Sequence, residues 1–195
     1  MDQSGGGGIL RRGSSIVFHS LILNPALKQV QGPRFQNLCN HKEFPLQEMN
    51  SKGKQMKYHE TSLRVRFYEV DAYSVAWHGH YIGWFEAGRN ELTERFQMGP
   101  LELKERNLLA PVVALTCQFK LPATYGDSLV IQTTMERTEV AKLIFHYRVL
   151  RQGSGKVLAT GSTTHVLTDL NGNLLYRVPP EVLERIEAMR KYLEV

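Results

Sequence analysis

Residues 70 to 92 read VDAYSVAWHGHYIGWFEAGRNEL, which brings the carboxylate of Asp71, two imidazoles (His78 and His80) and the aromatics Trp77, Tyr81, Trp84 and Phe85 to the entrance of what reads as a helix. A carboxylate can serve as base or nucleophile, and an imidazole titrates near neutrality and can carry protons. The first N–H groups of a helix have no intrahelical acceptor and carry partial positive charge. Bringing Asp71 and His78 to such a helix start would therefore assemble a site for acyl transfer, with the N–H groups holding an oxyanion.

Each group also has an ordinary reading. An isolated Asp in a loop is usually solvated or caps a helix. A first-turn His is commonly satisfied by backbone. The His78-x-His80 pair superficially resembles metal ligands, but i and i+2 side chains diverge at a helix start and no third ligand is spaced to close the set, so no metal is expected. His146 and His165 fall in predicted strands and read as packing or pocket residues. Glu86 and Arg89, three apart, suit a helical ion pair of little energetic value when solvated. Trp77, Tyr81, Trp84 and Phe85 could line a tunnel, although aromatics at helical spacing usually form core.

The elements that must position these groups follow from periodicity. From about Tyr81, the residues Tyr81, Phe85, Gly88, Leu92 and Phe96 make one apolar stripe, which predicts a helix ending near Met98-Gly99-Pro100. Gly83 and Gly88 inside it make sense if a curved sheet wraps closely around them. Upstream, TSLRVRFYEV predicts a strand with Leu63, Val65 and Phe67 on one face. Downstream come a short helical or turn segment (LELKERNLL), a strand to about Leu121, a turn through Pro122 to Asp127, and a strand from Ser128. AKLIFHYRVLR places Leu143, Phe145, Tyr147 and Val149 on one face, and Gly153-Ser154-Gly155 turns it into KVLATGSTTHVLTDL. After the turn at Asn171-Gly172-Asn173, PPEVLERIEAMRKYL predicts a terminal helix with Val182, Ile186, Met189 and Leu193 in register. The expected class is α+β, an antiparallel sheet burying one apolar helix.

The 195 residues suffice for one domain with a real core, and the net charge of +5 is unevenly placed. Residues 1–57 hold eight Lys/Arg against three acids, whereas residues 58–195 hold sixteen of each sign. The folded part thus lacks the basic excess that nucleic-acid binding needs. Residues 1–57, with a Gly5–Gly8 tract, three prolines and no sustained periodicity, read as a disordered extension, a leader or the product of a start upstream of Met49 or Met56. Their lack of acids between Gln3 and Lys42 makes organelle targeting the alternative. Cys39 and Cys117 are too few and too separated for a disulfide framework, and no secretory signal or membrane-spanning apolar run is visible, which points to the cytoplasm.

Three stretches together, RVRFYEVD, VAWHGHY and FEAGRNEL, form a D-x6-H-x2-Y pattern followed by an E-x2-R helix, and LPATYGDSL adds a second match. Over about residues 60–190 the sequence resembles the hotdog-fold acyl-CoA thioesterases, specifically the 4-hydroxybenzoyl-CoA thioesterase family and its Tol-Pal-associated branch. The resemblance implies a hotdog fold over residues 58–195, an antiparallel sheet wrapped around one long central helix, plus a C-terminal helix. It implies hydrolysis of an acyl-CoA to free acid and coenzyme A, with Asp71 as nucleophile or general base and His78 assisting. Gly79, with the backbone at His78, takes the oxyanion role, and Tyr81 matches an aromatic substrate-binding position. Tyr73-Ser74 departs from the small residues many members carry there, which leaves the shape of the acyl pocket open.

The resemblance further implies a homodimer or homotetramer with sheets joined edge to edge. No cofactor is expected, since coenzyme A arrives as part of the substrate. Two alternatives remain: an acyl carrier protein (ACP) thioesterase, which a basic patch from Arg137, Lys142, Arg148 and Arg151 would favour, and a non-catalytic acyl-thioester-binding protein. A hydratase is disfavoured, because no HFPxHPxxPG-like motif follows the helix.

Overall fold

The computed structural model describes residues 16–18, 57–138 and 140–194. Its elements run β1 (Ile16–Phe18), β2 (His59–Arg64), a 3-10 turn (Phe67–Glu69), α1 (His78–Glu94), α2 (Pro100–Glu105), β3 (Leu108–Leu109), β4 (Val112–Phe119), β5 (Ser128–Glu136), β6 (Lys142–Arg151), β7 (Val157–Val166), β8 (Thr168–Asp169) and α3 (Pro180–Leu193). Six strands form an antiparallel sheet in the order β1-β4-β7-β6-β5-β2, and β3 pairs separately with β8. Among the described residues no helix is long and apolar enough to cross a membrane.

The sheet wraps α1 because both surfaces carry apolar side chains at matching periods. Tyr81, Trp84, Phe85, Gly88 and Leu92 form the buried side of the helix, and Leu129, Ile131, Phe145, Tyr147, Val149 and Ala159 meet them from alternate positions of the strands. Phe85 stacks flat on Tyr147 with ring centroids 4.6 Å apart. At Gly88 the sheet comes so close that a Cβ would lie 2.6 Å from Thr133 Oγ1 and 2.9 Å from Ile131 Cγ2. Gly83 is different: it is exposed, and a Cβ there would meet nothing within 4 Å. Close wrapping thus accounts for Gly88 and not for Gly83.

Three expected boundaries move for local reasons. β2 stops at Arg64 rather than continuing through Val70. Beyond it the backbone bonds pass to the 126–127 turn, with Val65 N–H donating to Asp127 O at 2.9 Å and Gly126 N–H to Val65 O at 3.0 Å. Glu69 Oε2 then accepts the Arg66 N–H at 2.6 Å and folds residues 67–69 into the 3-10 turn, which leaves Phe67 outward rather than on the core face. α1 begins three residues before the apolar stripe, because His78, Gly79 and His80 contribute no periodic signal. It ends at Glu94, where the Thr93 carbonyl accepts the N–H groups of both Phe96 and Met98. Gln97, at φ 54°, takes the left-handed position expected of Gly99, which instead is the N-cap of α2, with Pro100 in its first turn.

The terminal helix α3 buries Val182, Ile186, Met189 and Leu193 in the expected register. Its Tyr192 packs against His59 of β2 and Phe96 beyond α1. Apart from residues 16–18 and Lys57, the expectation for residues 1–57 lies outside the described residues. Ile16–Phe18 pairs with Leu115–Cys117 on the outer edge of β4.

Candidate active site

Asp71 sits in a tight reversal between the 3-10 turn and α1. Val70 and Ala76 pair across it, Asp71 N–H donates to Val75 O and Ser74 N–H to Asp71 O, both at 2.9 Å, and Ser74 adopts φ 60° to close the turn. A second strap joins this reversal to the turn at 122–127. Ala76 N–H donates to Ala123 O at 2.8 Å, and Val75 bridges Thr124. That turn is itself fixed by Asp127, whose Oδ2 accepts from Thr124 N–H at 2.9 Å and from Arg151 Nη2 at 2.8 Å.

Glu69, two residues before Asp71, drew no attention in the sequence and proves to be the anchor of the loop. It is buried, and its two oxygens are divided between elements: Oε1 accepts the Trp84 indole N–H from α1 at 3.0 Å, and Oε2 accepts the Arg66 backbone N–H. Its own carbonyl accepts the Trp77 N–H at 2.8 Å. No local signal in the sequence marks it, because its partner Trp84 lies fifteen residues further along the chain.

Asp71 itself is half-buried, and its Oδ1 accepts the Tyr73 N–H at 2.8 Å. His78 opens α1, is exposed, and lies against the Trp77 ring with centroids 4.7 Å apart. Asp71 and His78 thus stand at the same loop–helix junction, and among the described residues no hydrogen bond or ion pair joins them. The N–H groups of His78 and Gly79 likewise meet no acceptor among the described residues, while the His80 N–H is satisfied by the Trp77 carbonyl at 2.9 Å. Any Cβ at Gly79 would run into the Trp77 indole, which folds back over the helix start. Tyr81 is buried and its hydroxyl accepts the Ala123 N–H at 3.0 Å, so this residue pins the second strap to α1. Burial raises the Tyr81 hydroxyl's pKa.

Farther along α1, polar groups are enclosed rather than open. Arg89 pairs with Glu86 at 3.4 Å; the Arg89 side chain is only 12% exposed and that of Glu86 is 60% exposed, so the pair reaches from solvent into the helix–sheet interface. Burial pushes the Tyr147 hydroxyl's pKa up to about 12, with the nearby Arg89 cation opposing the rise. That hydroxyl lies 2.6 Å from Thr163 Oγ1, which lies 3.0 Å from His165 Nε2, and His165 Nδ1 lies 2.9 Å from Ala110 O. Because a carbonyl can only accept, Nδ1 carries the proton. Burial first, and the nearby Arg89 cation second, lower the His165 pKa to about 4. Cys117 is also buried, with its thiol raised to about 12 by desolvation, and is no nucleophile at neutral pH.

The basic residues that could have formed one patch are dispersed. Lys142 and Arg151 occupy opposite ends of the ten-residue β6, roughly 30 Å apart at strand spacing. Arg151 is engaged by Asp127, and Arg148 lies over the Tyr58 ring. Among the described residues, no three His, Cys, Asp or Glu side chains come together as a metal site.

A helix wrapped by an antiparallel sheet, with a polar loop at the helix N-terminus, is the hotdog architecture. A family model for the thioesterase-like superfamily matches residues 65–186, and the chain belongs to that family. Among its relatives are the long-chain acyl-CoA thioesterase FadM of Escherichia coli, 24% identical over 68% of this chain and 99% of its own length, and the 1,4-dihydroxy-2-naphthoyl-CoA hydrolase of Synechococcus, 27% identical over 66% of this chain and 89% of its own. The crystal structure of the hypothetical protein TT1821 from Thermus thermophilus superposes with a TM-score of 0.61 at 29% identity, covering 67% of this chain and 98% of that one.

Proposed function

We propose that this protein hydrolyses acyl-CoA thioesters, with Asp71 as the reacting carboxylate, His78 assisting, and the His78 and Gly79 N–H groups holding the oxyanion. The observation that carries the reading is the contrast at the start of α1. Glu69 is consumed by structural hydrogen bonds, whereas Asp71 keeps a half-exposed carboxylate beside helix N–H groups that meet no acceptor among the described residues. Water adds across the C–S bond, giving the free acid and the coenzyme A thiol. As base, Asp71 takes a proton from the attacking water. As nucleophile, it forms a mixed anhydride that water then cleaves. Tyr81 contributes by holding Ala123 and the loop wall rather than through a free hydroxyl.

Coenzyme A is favoured over a carrier protein as thiol carrier because Lys142 and Arg151 stand at opposite ends of β6, Arg151 is engaged by Asp127 and Arg148 lies over the Tyr58 ring. A homodimer or homotetramer belongs to the same reading, and the D-x6-H-x2-Y motif favours the Tol-Pal-associated branch. Thiol release from a panel of short, long and aromatic acyl-CoAs, beside the same acyl groups on carrier protein, tests the assignment. The expected result is turnover on acyl-CoA with weaker turnover on the carrier, and absence of thiol release on every substrate would overturn it. Single turnover in 18O-labelled water identifies the nucleophilic route when label enters the Asp71 carboxylate, which requires water to cleave the anhydride at the Asp71 carbonyl; where only the free acid is labelled, chemical trapping of the anhydride separates the two roles.

A further inference from the structure

A group of exposed rings gathers at the 3-10 turn and the facing 122–127 turn. Phe67, Tyr68 and Tyr125 are 78%, 65% and 64% exposed. Phe67 meets Tyr125 edge to face at 5.9 Å. Large apolar rings standing together in solvent mark a binding surface rather than a core. Two arginines accompany them from alternate positions on either side of the buried Val65. Arg66 donates to the Tyr68 hydroxyl at 2.6 Å and lies 5.8 Å from that ring's centroid, and Arg64 donates to Gly126 O beside Tyr125 at 3.1 Å. Among the described residues neither guanidinium meets a carboxylate. The only acid of the facing turn, Asp127, is held by Arg151.

This surface is connected to the helix start by a row of rings. Trp77 lies 5.6 Å from His80, and His80 lies 6.2 Å from Tyr68, centroid to centroid. The row therefore leads from the junction that holds His78 to the two arginines. Flat aromatic faces accept a purine by stacking, and a guanidinium pairs with phosphate through two parallel N–H groups.

We infer that Arg64, Arg66, Phe67, Tyr68 and Tyr125 form the binding surface for the phosphorylated adenine nucleotide of coenzyme A. The inference rests on the acyl-CoA reading and names the part of the molecule that reads the carrier. The nucleotide stacks on the exposed rings, the arginines take its phosphates, and the pantetheine arm runs along the Tyr68–His80–Trp77 row to bring the thioester to Asp71. Both arginine side chains are exposed, and Glu69 is held by the backbone N–H of Arg66 rather than by its guanidinium, so truncating them leaves the loop's anchor in place.

The test is calorimetric binding of 3′-phosphoadenosine 5′-diphosphate, the nucleotide fragment without its arm, to the full chain, to Arg64→Ala/Arg66→Ala and to Phe67→Ala. The expected result is binding by the wild type that weakens at least tenfold in the double arginine variant and at least threefold in Phe67→Ala, with affinity falling as salt rises. Failure of the wild type to bind, or binding unchanged in the folded arginine variant, would overturn the inference. So would a change in sedimentation of the variants without loss of nucleotide, which would make the surface a contact between copies. Nucleotide binding by a protein that releases thiol from no thioester would instead refute the hydrolase reading and leave the nucleotide surface standing.

Discussion

The start of α1 and its middle use similar side chains to opposite ends. In the middle, Tyr147, Thr163 and His165 are buried and their polar atoms are spent on one another and on the Ala110 carbonyl, while the largely buried Arg89 pairs with Glu86. At the start, His78 is exposed, Asp71 accepts a hydrogen bond from its own loop, and the first N–H groups of the helix meet no acceptor among the described residues. An enclosed polar network specifies a fold, because each lost partner strands a buried group. A junction with spare donors and a spare carboxylate has chemical capacity instead. Removing groups from the middle should therefore lower stability, and removing them from the start should lower activity.

The strongest challenge on the stability side is Phe85→Ala, which removes the ring stacked on Tyr147. It should cost roughly 4 kcal/mol, read as a shift in denaturant midpoint. The next is pH. His165 has a folded-state pKa of about 4 against the 6.5 of an ordinary imidazole, so the unfolded chain binds the proton more readily. The stability that the neutral ring contributes is complete above about pH 6.5 and is lost as pH falls toward 4. The loss amounts to about 3 kcal/mol at full protonation, and chemical denaturation of His165→Asn should show a shallower decline over the same window.

Glu69→Ala lies on the boundary between the two regions. It strands the Trp84 indole and the Arg66 N–H, so it should cost about 2 kcal/mol and also lower turnover by loosening the Asp71 loop. The smallest contrast is between the two glycines of α1. Gly88→Ala should destabilise by about 1 to 3 kcal/mol through contact with Ile131 and Thr133, and Gly83→Ala should stabilise by up to about 1 kcal/mol, since its Cβ meets open space. Thermal melts of the pair suffice to check it.

This division explains what could be read from sequence. The stripe of α1, the alternation of β6 and the register of α3 were legible because burial imposes a period on apolar residues. Asp71, His78, Gly79 and Tyr81 could be placed at one loop–helix junction because the helix stripe fixes where that junction falls. The end of β2 was not legible, since Phe67 continues the alternation while a hydrogen bond from the Arg66 N–H to Glu69 turns the chain. Glu69 itself was missed because an acid in a loop is ordinarily solvated, and nothing local announces that a Trp fifteen residues later will bury it. The tie from Tyr81 to Ala123 spans elements far apart in sequence and leaves no periodic trace. Only the exact first turn of α1 was hidden, because His78, Gly79 and His80 add nothing to the apolar stripe that begins at Tyr81.

The central claim is that Asp71 reacts and does not merely shape its loop. The direct measurement is thiol release from a long-chain acyl-CoA by the full chain and by Asp71→Asn, with thermal unfolding of both. The account predicts that kcat falls roughly a hundredfold to ten-thousandfold while the melting midpoint moves little, since Asn preserves the acceptor for the Tyr73 N–H. A folded Asn variant that hydrolyses the thioester at the wild-type rate would contradict it.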